Sequence, residues 1–287
     1  MNAAEKLEIT CSKAWPPLVE DPLGEWRLRW ADGFTGRANS ALAVGDPVRP
    51  LGGALRAVCD FAHDRGITPM VQVVRDSPNE HAIAAAGWHP ATGHGAGHEV
   101  VVLTAPLEPG PAVAGGEVGR KPAVPGVTVS EKRAFAAPGV TVRDQPAPAN
   151  PAVTIGDEPA PGWWALAMRP TEDSPAARQV LSGGKTGYGA ALVDGVLAGV
   201  VRGALVDDWL HIGRLEVAPA FRRRGLASAL MGAVHAWGVE HGAGHAVLQV
   251  AERNSGALAL YAGLGYAPHH KYRYWVPAPG SCEDSTS

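Results

Sequence analysis

Hydrophobic and polar positions change period along the chain. In the second half, "GYGAALVDGVLAGVVRGAL" reads as two apolar strands joined by a turn at Asp194-Gly195, the residue pair favoured in tight hairpins. "DWLHIGRLEV" continues as a strand. From Arg224 to His241 the period becomes helical, with Leu226, Leu230, Val234 and Trp237 on one face. "HAVLQV" is a further strand, Ser255 to Leu264 a helix, and "HKYRYWV" an alternating last strand. Strands and helices in this order predict an α+β fold built on a mixed, mostly antiparallel sheet flanked by helices.

The same order recurs earlier. "DRGITPMVQVVRDSPNEHAIAAAGWHP", from Asp64, runs parallel to "EHGAGHAVLQVAERNSGALALYAGLGYAP", from Glu240. Gln72-Val73 aligns with Gln249-Val250, and Gly87-Trp88 with Gly265-Tyr266, with one gap. Two tandem copies of one fold follow, over residues 1–104 and 151–279. Between them, 105–150 is rich in Pro, Ala and Gly, which reads as a linker, and 280–287 as a disordered tail. Three segments beginning at Pro125, Pro138 and Pro151 repeat with a 13-residue period; the last leads into Trp163-Trp164. They read as duplications of the first strand of the second copy.

Composition narrows the function classes. A net charge of −3 argues against a broad nucleic-acid surface. No apolar leader opens the chain, and no apolar run approaches the roughly 20 residues of a membrane span, so a cytoplasmic protein with no membrane partner is expected. Cys11, Cys59 and Cys282 share no metal-ligand spacing, which argues against disulfides and zinc and for a reducing compartment. His81, His89, His94 and His98 flank a glycine-rich loop with little acidic company; no metal is expected there.

The chemistry concentrates in "LEVAPAFRRRGLASAL". Arginines and a glycine before a helix form an anion cradle, because the first helical N–H groups lack intrahelical partners and carry partial positive charge. Arg222, Arg223 and Arg224, with Gly225, Leu226, Ala227 and Ser228, therefore read as a pyrophosphate site at a strand end. A solvated basic helix cap is the plainer alternative.

The Arg222-x-x-Gly225-x-Ala227 pattern resembles the acetyl-CoA signature of GCN5-related N-acetyltransferases, and Asn254 to Tyr266 is similar to that family's second signature. "GFTGRANS" and "HHKYRYW" further resemble an actinobacterial double-domain group described as N-acetylglutamate synthases or histone acetyltransferases. The resemblance implies transfer of acetyl from acetyl-CoA to a primary amine of a small molecule or peptide. It implies a cofactor arm bound along Leu215, Glu216 and Val217 and contacted by Asn254. Tyr261 stands where the family's tyrosine protonates the leaving thiolate. Gln249 replaces a glutamate that serves some members as base. His211 occupies another base position and shares a face with Gly213 and Leu215 by period-two counting, which turns Glu216 away. A water relay is an alternative. Arg37 and Asn39 can grip a carboxylate on the acceptor, or belong to a hairpin turn with a solvated arginine. In the first copy, "GDPVRPLGGAL" lacks the arginine cluster and alanines replace the tyrosine, so that copy is expected to be degenerate. A non-catalytic acyl-CoA-binding regulator is the rival reading. A small acidic acceptor predicts a narrow pocket with an arginine, and a peptide predicts an open groove.

Overall fold

The computed structural model describes residues 1–95, 97–108 and 152–282. In chain order the first half forms α1 (Ala3–Ala14), β1 (Val19–Leu23), β2 (Trp26–Trp30), β3 (Ala41–Ala43), α2 (Leu51–Asp64), β4 (Val71–Val74), α3 (Pro78–Ala85), β5 (His89–Pro90) and β6 (Glu99–Pro106). The second forms β7 (Ala152–Gly156), α4 (Trp163–Ala167), α5 (Pro175–Leu181), β8 (Lys185–Val193), β9 (Val196–Val206), β10 (Trp209–Val217), α6 (Leu226–Glu240), β11 (His245–Ala251), α7 (Ser255–Gly263) and β12 (Ala267–Val276). The two earlier copies of the 13-residue repeat lie outside the described residues; the third becomes β7.

The local chemistry explains the elements. Asp194 and Gly195 both take positive φ, giving the β8–β9 hairpin its turn. Asn2 and Glu5 cap α1 reciprocally, and Ser77 and Ser174 cap α3 and α5. The α6 helix begins at Leu226, two residues later than its apolar period suggests, because Gly225 at φ 79° is its N-cap.

All the strands join one sheet in the order β1-β2-β3-β4-β12-β6-β11-β10-β9-β8-β7, with β5 paired to β12. The pattern is internally symmetric. In each half a run of antiparallel steps, two in the first and three in the second, leads to a parallel pair, β3 with β4 and β10 with β11. The last strand of each half then crosses over. β6 adds to β11 of the second half, β12 adds to β4 of the first, and β6 and β12 pair with each other. The linear order of repeats gives no hint of this exchange.

The crossing also corrects the cysteine reading. Cys59 on α2 is bonded to Cys282, Cα to Cα 5.7 Å apart and 223 residues away in sequence. Scattered spacing argued against a bridge, but β12 returns the end of the chain to the first half. Ser281 and Cys282, placed in a disordered tail by composition, are thereby held; Cys11 is free and buried.

One apolar core lies under α6 and another under α2. A third gathers Trp15, Phe34, Trp163 and Tyr188, and so mixes residues of both halves. No helix among the described residues is long and apolar enough to cross a membrane.

Candidate active site

β10 and β11 pair in parallel only from Trp209–His245 to Ile212–Leu248. Beyond that point they part, and the facing backbone groups of β10 lose their strand partner. At the same place β10 carries a bulge: its register against β9 slips between Gly213 and Glu216, and Arg214 takes φ 53°. One extra residue reverses the side-chain alternation. Leu210 and Ile212 face the α6 core, and beyond the bulge so do Leu215 and Val217. His211, Gly213, Arg214 and Glu216 share the opposite side. Period-two counting therefore fails here, and Glu216, not Leu215, shares the side of His211.

His211 is fully buried, and neither ring nitrogen has a hydrogen-bond partner. Burial, then the charges of Arg37 and Arg202, press its pKa down to about 3; Gln249 stands beside it without closing a bond. A neutral, buried imidazole of such low basicity is poorly suited to taking an amine proton. Glu216 is open to solvent on one side. Partial burial raises its pKa, against the pull of Arg222, Arg214 and Arg169. Tyr261, on α7, senses the same carboxylate: burial first, and Glu216 second, push its phenol up to about 12.

At the strand end, Pro219–Phe221 form one turn of 3₁₀ helix and the chain enters α6 through Arg223 (φ 63°) and Gly225 (φ 79°). Gly225 has nothing within 4 Å of where a Cβ would stand, so it leaves open space before the helix. No backbone N–H from Arg223 to Ser228 has an acceptor among the described residues. Arg222 to Gly225 are exposed; Arg222 Nε donates to the Val217 carbonyl (3.1 Å), and Arg224 lies 5.6 Å from the Phe221 ring. Such a turn suits a pyrophosphate. Asn254 caps α7, its Oδ1 accepting from Ala257 N at 3.1 Å, which leaves its amide hydrogens for a ligand.

The matching turn in the first half is filled from within. Gly45 N donates to Glu5 Oε1 (3.2 Å), Asp46 N to Glu25 Oε2 (2.7 Å) and Val48 N to Asp46 Oδ1 (2.7 Å). Carboxylates take the donors that an anion would need.

Between the halves lies a cleft of about 540 Å³. Its walls are the Asp32–Arg37 segment, the 169–174 loop between α4 and α5, and His94; Gln249, Tyr272 and Tyr274 line its floor. Arg37 Nη1 donates to Gln249 Oε1 (3.0 Å), and no carboxylate among the described residues pairs with Arg37. Asn39 is otherwise employed. Its Oδ1 accepts from Ala31 N and Gly33 N, and its Nδ2 donates to Phe34 O and Thr35 O. All four of those bonds shape the turn and occupy the Asn39 amide, whereas the Arg37 guanidinium faces the cleft. The turn is 3₁₀, not a hairpin.

Arg214 and Trp15 at this site carry no motif and were missed in the sequence; Tyr274 falls within "HHKYRYW" but was given no role there. Among the described residues no group of three or more His, Cys, Asp or Glu could hold a metal.

The family model described as "Probable histone acetyltransferase Rv0428c C-terminal" matches in two segments, 3–123 and 121–275. The chain belongs to this family. It is similar in fold to "GCN5-related N-acetyltransferase from Kribbella flavida", at TM-score 0.62 and 13% identity, over 98% of this chain and 97% of the other. It is also similar to a "Tandem GNAT protein from the clavulanic acid biosynthesis pathway", at TM-score 0.55 and 18% identity, over 82% and 74% of the two chains. A 58-residue stretch is 41% identical to "Acetyl transferase GW6a" of Oryza sativa subsp. japonica, covering 20% of this chain; the match spans 14% of that relative's length. The α+β architecture of the chain is thus that of two GCN5-related folds in tandem.

Proposed function

We propose that the chain transfers the acetyl group of acetyl-CoA to the primary amine of a small molecule whose anionic group faces Arg37. The cleft carries this reading: it is walled on several sides and presents a guanidinium without a carboxylate partner. An extended basic peptide would need an open groove and opposite charge.

The N–H groups of 223–228, with Arg222 to Arg224, would hold the pyrophosphate. The unpaired edge of β10, along Leu215 to Val217, would receive the pantetheine arm as an added strand, next to Asn254. Acetyl-CoA supplies an acetyl group on a thioester. Glu216 takes a proton from the amine. Its raised pKa brings it closer to neutrality, and it stands on the side of β10 shared with Arg214. A β10 backbone N–H at the bulge supports the carbonyl oxygen as charge gathers on it. Tyr261 stays protonated at neutral pH and gives its proton to the departing sulfur. Amine nitrogen bonds to the acetyl carbon as the carbon–sulfur bond breaks, and Glu216 and Tyr261 balance the protons.

Labelled acetyl-CoA with a panel of anionic small amines, neutral amines and lysine-rich peptides tests the reading. Label should pass to anionic amines, and Arg37→Gln should raise their KM about tenfold or more, the loss expected for a charged hydrogen bond of about 1.5–3 kcal/mol. Transfer to lysine-rich peptides, unaffected by Arg37→Gln, would refute it.

A further inference from the structure

Trp15, the residue that ends α1 in the first half, sits against the reacting strand of the second. It is 1% exposed. A Cβ on Gly213 would lie 3.2 Å from its ring, so the indole rests closely on β10 at a glycine, one residue before the bulge. Three guanidiniums surround the ring: Arg37 at 4.5 Å, Arg202 at 5.4 Å and Arg214 at 5.5 Å from its centroid. Among the described residues only Arg214 has a carboxylate partner, Glu172 at 3.1 Å. The ring face adds a cation–π attraction to the hydrogen bonds these cations make, of which Arg37 has one, to Gln249.

Two strained residues meet the same side chain. Thr35 is β-branched with φ 59°, a costly backbone state, and its Oγ1 accepts from Trp15 Nε1 at 3.1 Å. It opens the 3₁₀ turn that carries Arg37. Arg214, at φ 53°, is the bulge residue that sets Glu216 on its side of β10; besides Trp15 it stacks on Phe34 and donates to the Ala167 carbonyl. One strained residue belongs to each half.

We propose that Trp15 is a positioning residue: it holds Arg37 and the Arg214 bulge in mutual register, so that the first half, which has no free cradle of its own, sets acceptor affinity and turnover in the second. This rests on the acceptor reading above. The ring makes no contact with either reactant and acts only through the two arginines.

The test is a double-mutant cycle on the full chain. Trp15→Leu should leave acetyl-CoA affinity, measured by calorimetry, within about threefold, while acceptor KM rises roughly ten- to thirtyfold, the range of a desolvated cation–π contact. Turnover should fall as well. In an Arg37→Gln background the KM effect should shrink below about twofold. Trp15→Phe keeps a ring face and should recover most of the loss. If the leucine variant does not fold, Trp15→Phe carries the cycle with a smaller, still Arg37-dependent rise. An unchanged KM, or full multiplication of the two substitutions, overturns the proposal. A wild-type protein inert toward every amine refutes the transfer reading instead. The positioning is then read from the Arg37 Nε–H resonance: ring-current-shifted in wild type and random-coil-like in Trp15→Leu, with an unshifted wild-type signal overturning it.

Discussion

Replacing His211 by leucine should make the protein more resistant to acid. The ring is fully buried, and neither nitrogen is bonded. Its pKa falls from 6.5 to about 3 on folding, chiefly through burial. The neutral form is favoured in the folded state, so this stability is fully present above the unfolded pKa. It is lost as the pH falls toward about 3. At about pH 4.5 the unfolded ring is almost wholly protonated and the folded one almost wholly neutral. Proton linkage then costs the wild type about 2–3 kcal/mol relative to neutral pH. Leucine removes that slope, together with two unpaired buried nitrogens. Urea unfolding at about pH 7.5 and pH 4.5 gives the comparison: the stability difference between wild type and variant should change by about 2–3 kcal/mol between the two, in favour of the variant in acid. Acetyl transfer at neutral pH should survive, since a buried imidazole of low basicity is poorly suited to taking a proton. Equal acid sensitivity in both proteins, or a His211 resonance titrating near its ordinary pKa, would refute the burial argument; abolished transfer in a folded variant would restore His211 as a base.

Three further outcomes are expected. Gly225→Asp puts a carboxylate and a side chain at φ 79° before six free N–H groups, and calorimetry should find acetyl-CoA binding lost while the fold persists. Glu216→Gln should lower turnover by roughly 10²–10⁴-fold and remove the acid limb of its pH profile, which in wild type reflects a carboxylate titrating above its ordinary range; Tyr261→Phe should slow the chemical step at unchanged cofactor affinity. Cys282→Ser should lower stability only under oxidising conditions, by as much as about 5 kcal/mol on loop-closure entropy for so distant a pair, and wild type in reductant should match it in denaturation.

What could be read from the sequence was whatever depends on neighbours in the chain. The Asp194-Gly195 hairpin, the glycine before α6 and the helical period of α6 are local, and so is the arrangement of donors from Arg223 to Ser228. The internal repeat revealed two copies because similar local signals recur in order. The remainder depends on partners far apart. A bulge at Arg214 is invisible to period-two counting, since an arginine at positive φ carries no composition signal, and it reversed the sides of Leu215 and Glu216. Asn39 looked like a ligand because its four hydrogen-bond partners are backbone groups. Trp15 belongs to no motif, so nothing local marks its place against β10. Only the crossing of β6 and β12 brings Cys282 back to Cys59.

That crossing also sets the order in which the molecule can be completed as it is made. β4 is synthesised early, but its inner neighbour β12 is nearly the last segment to appear. At about 5–20 residues per second the delay is roughly 10–40 s. Throughout that interval the open edge of β4 is a template for any passing strand, including the same strand of another nascent copy. β6 waits likewise for β11. The nascent chain must therefore survive with two unfinished sheets, and a truncation just before β12 harms the first half as much as the second.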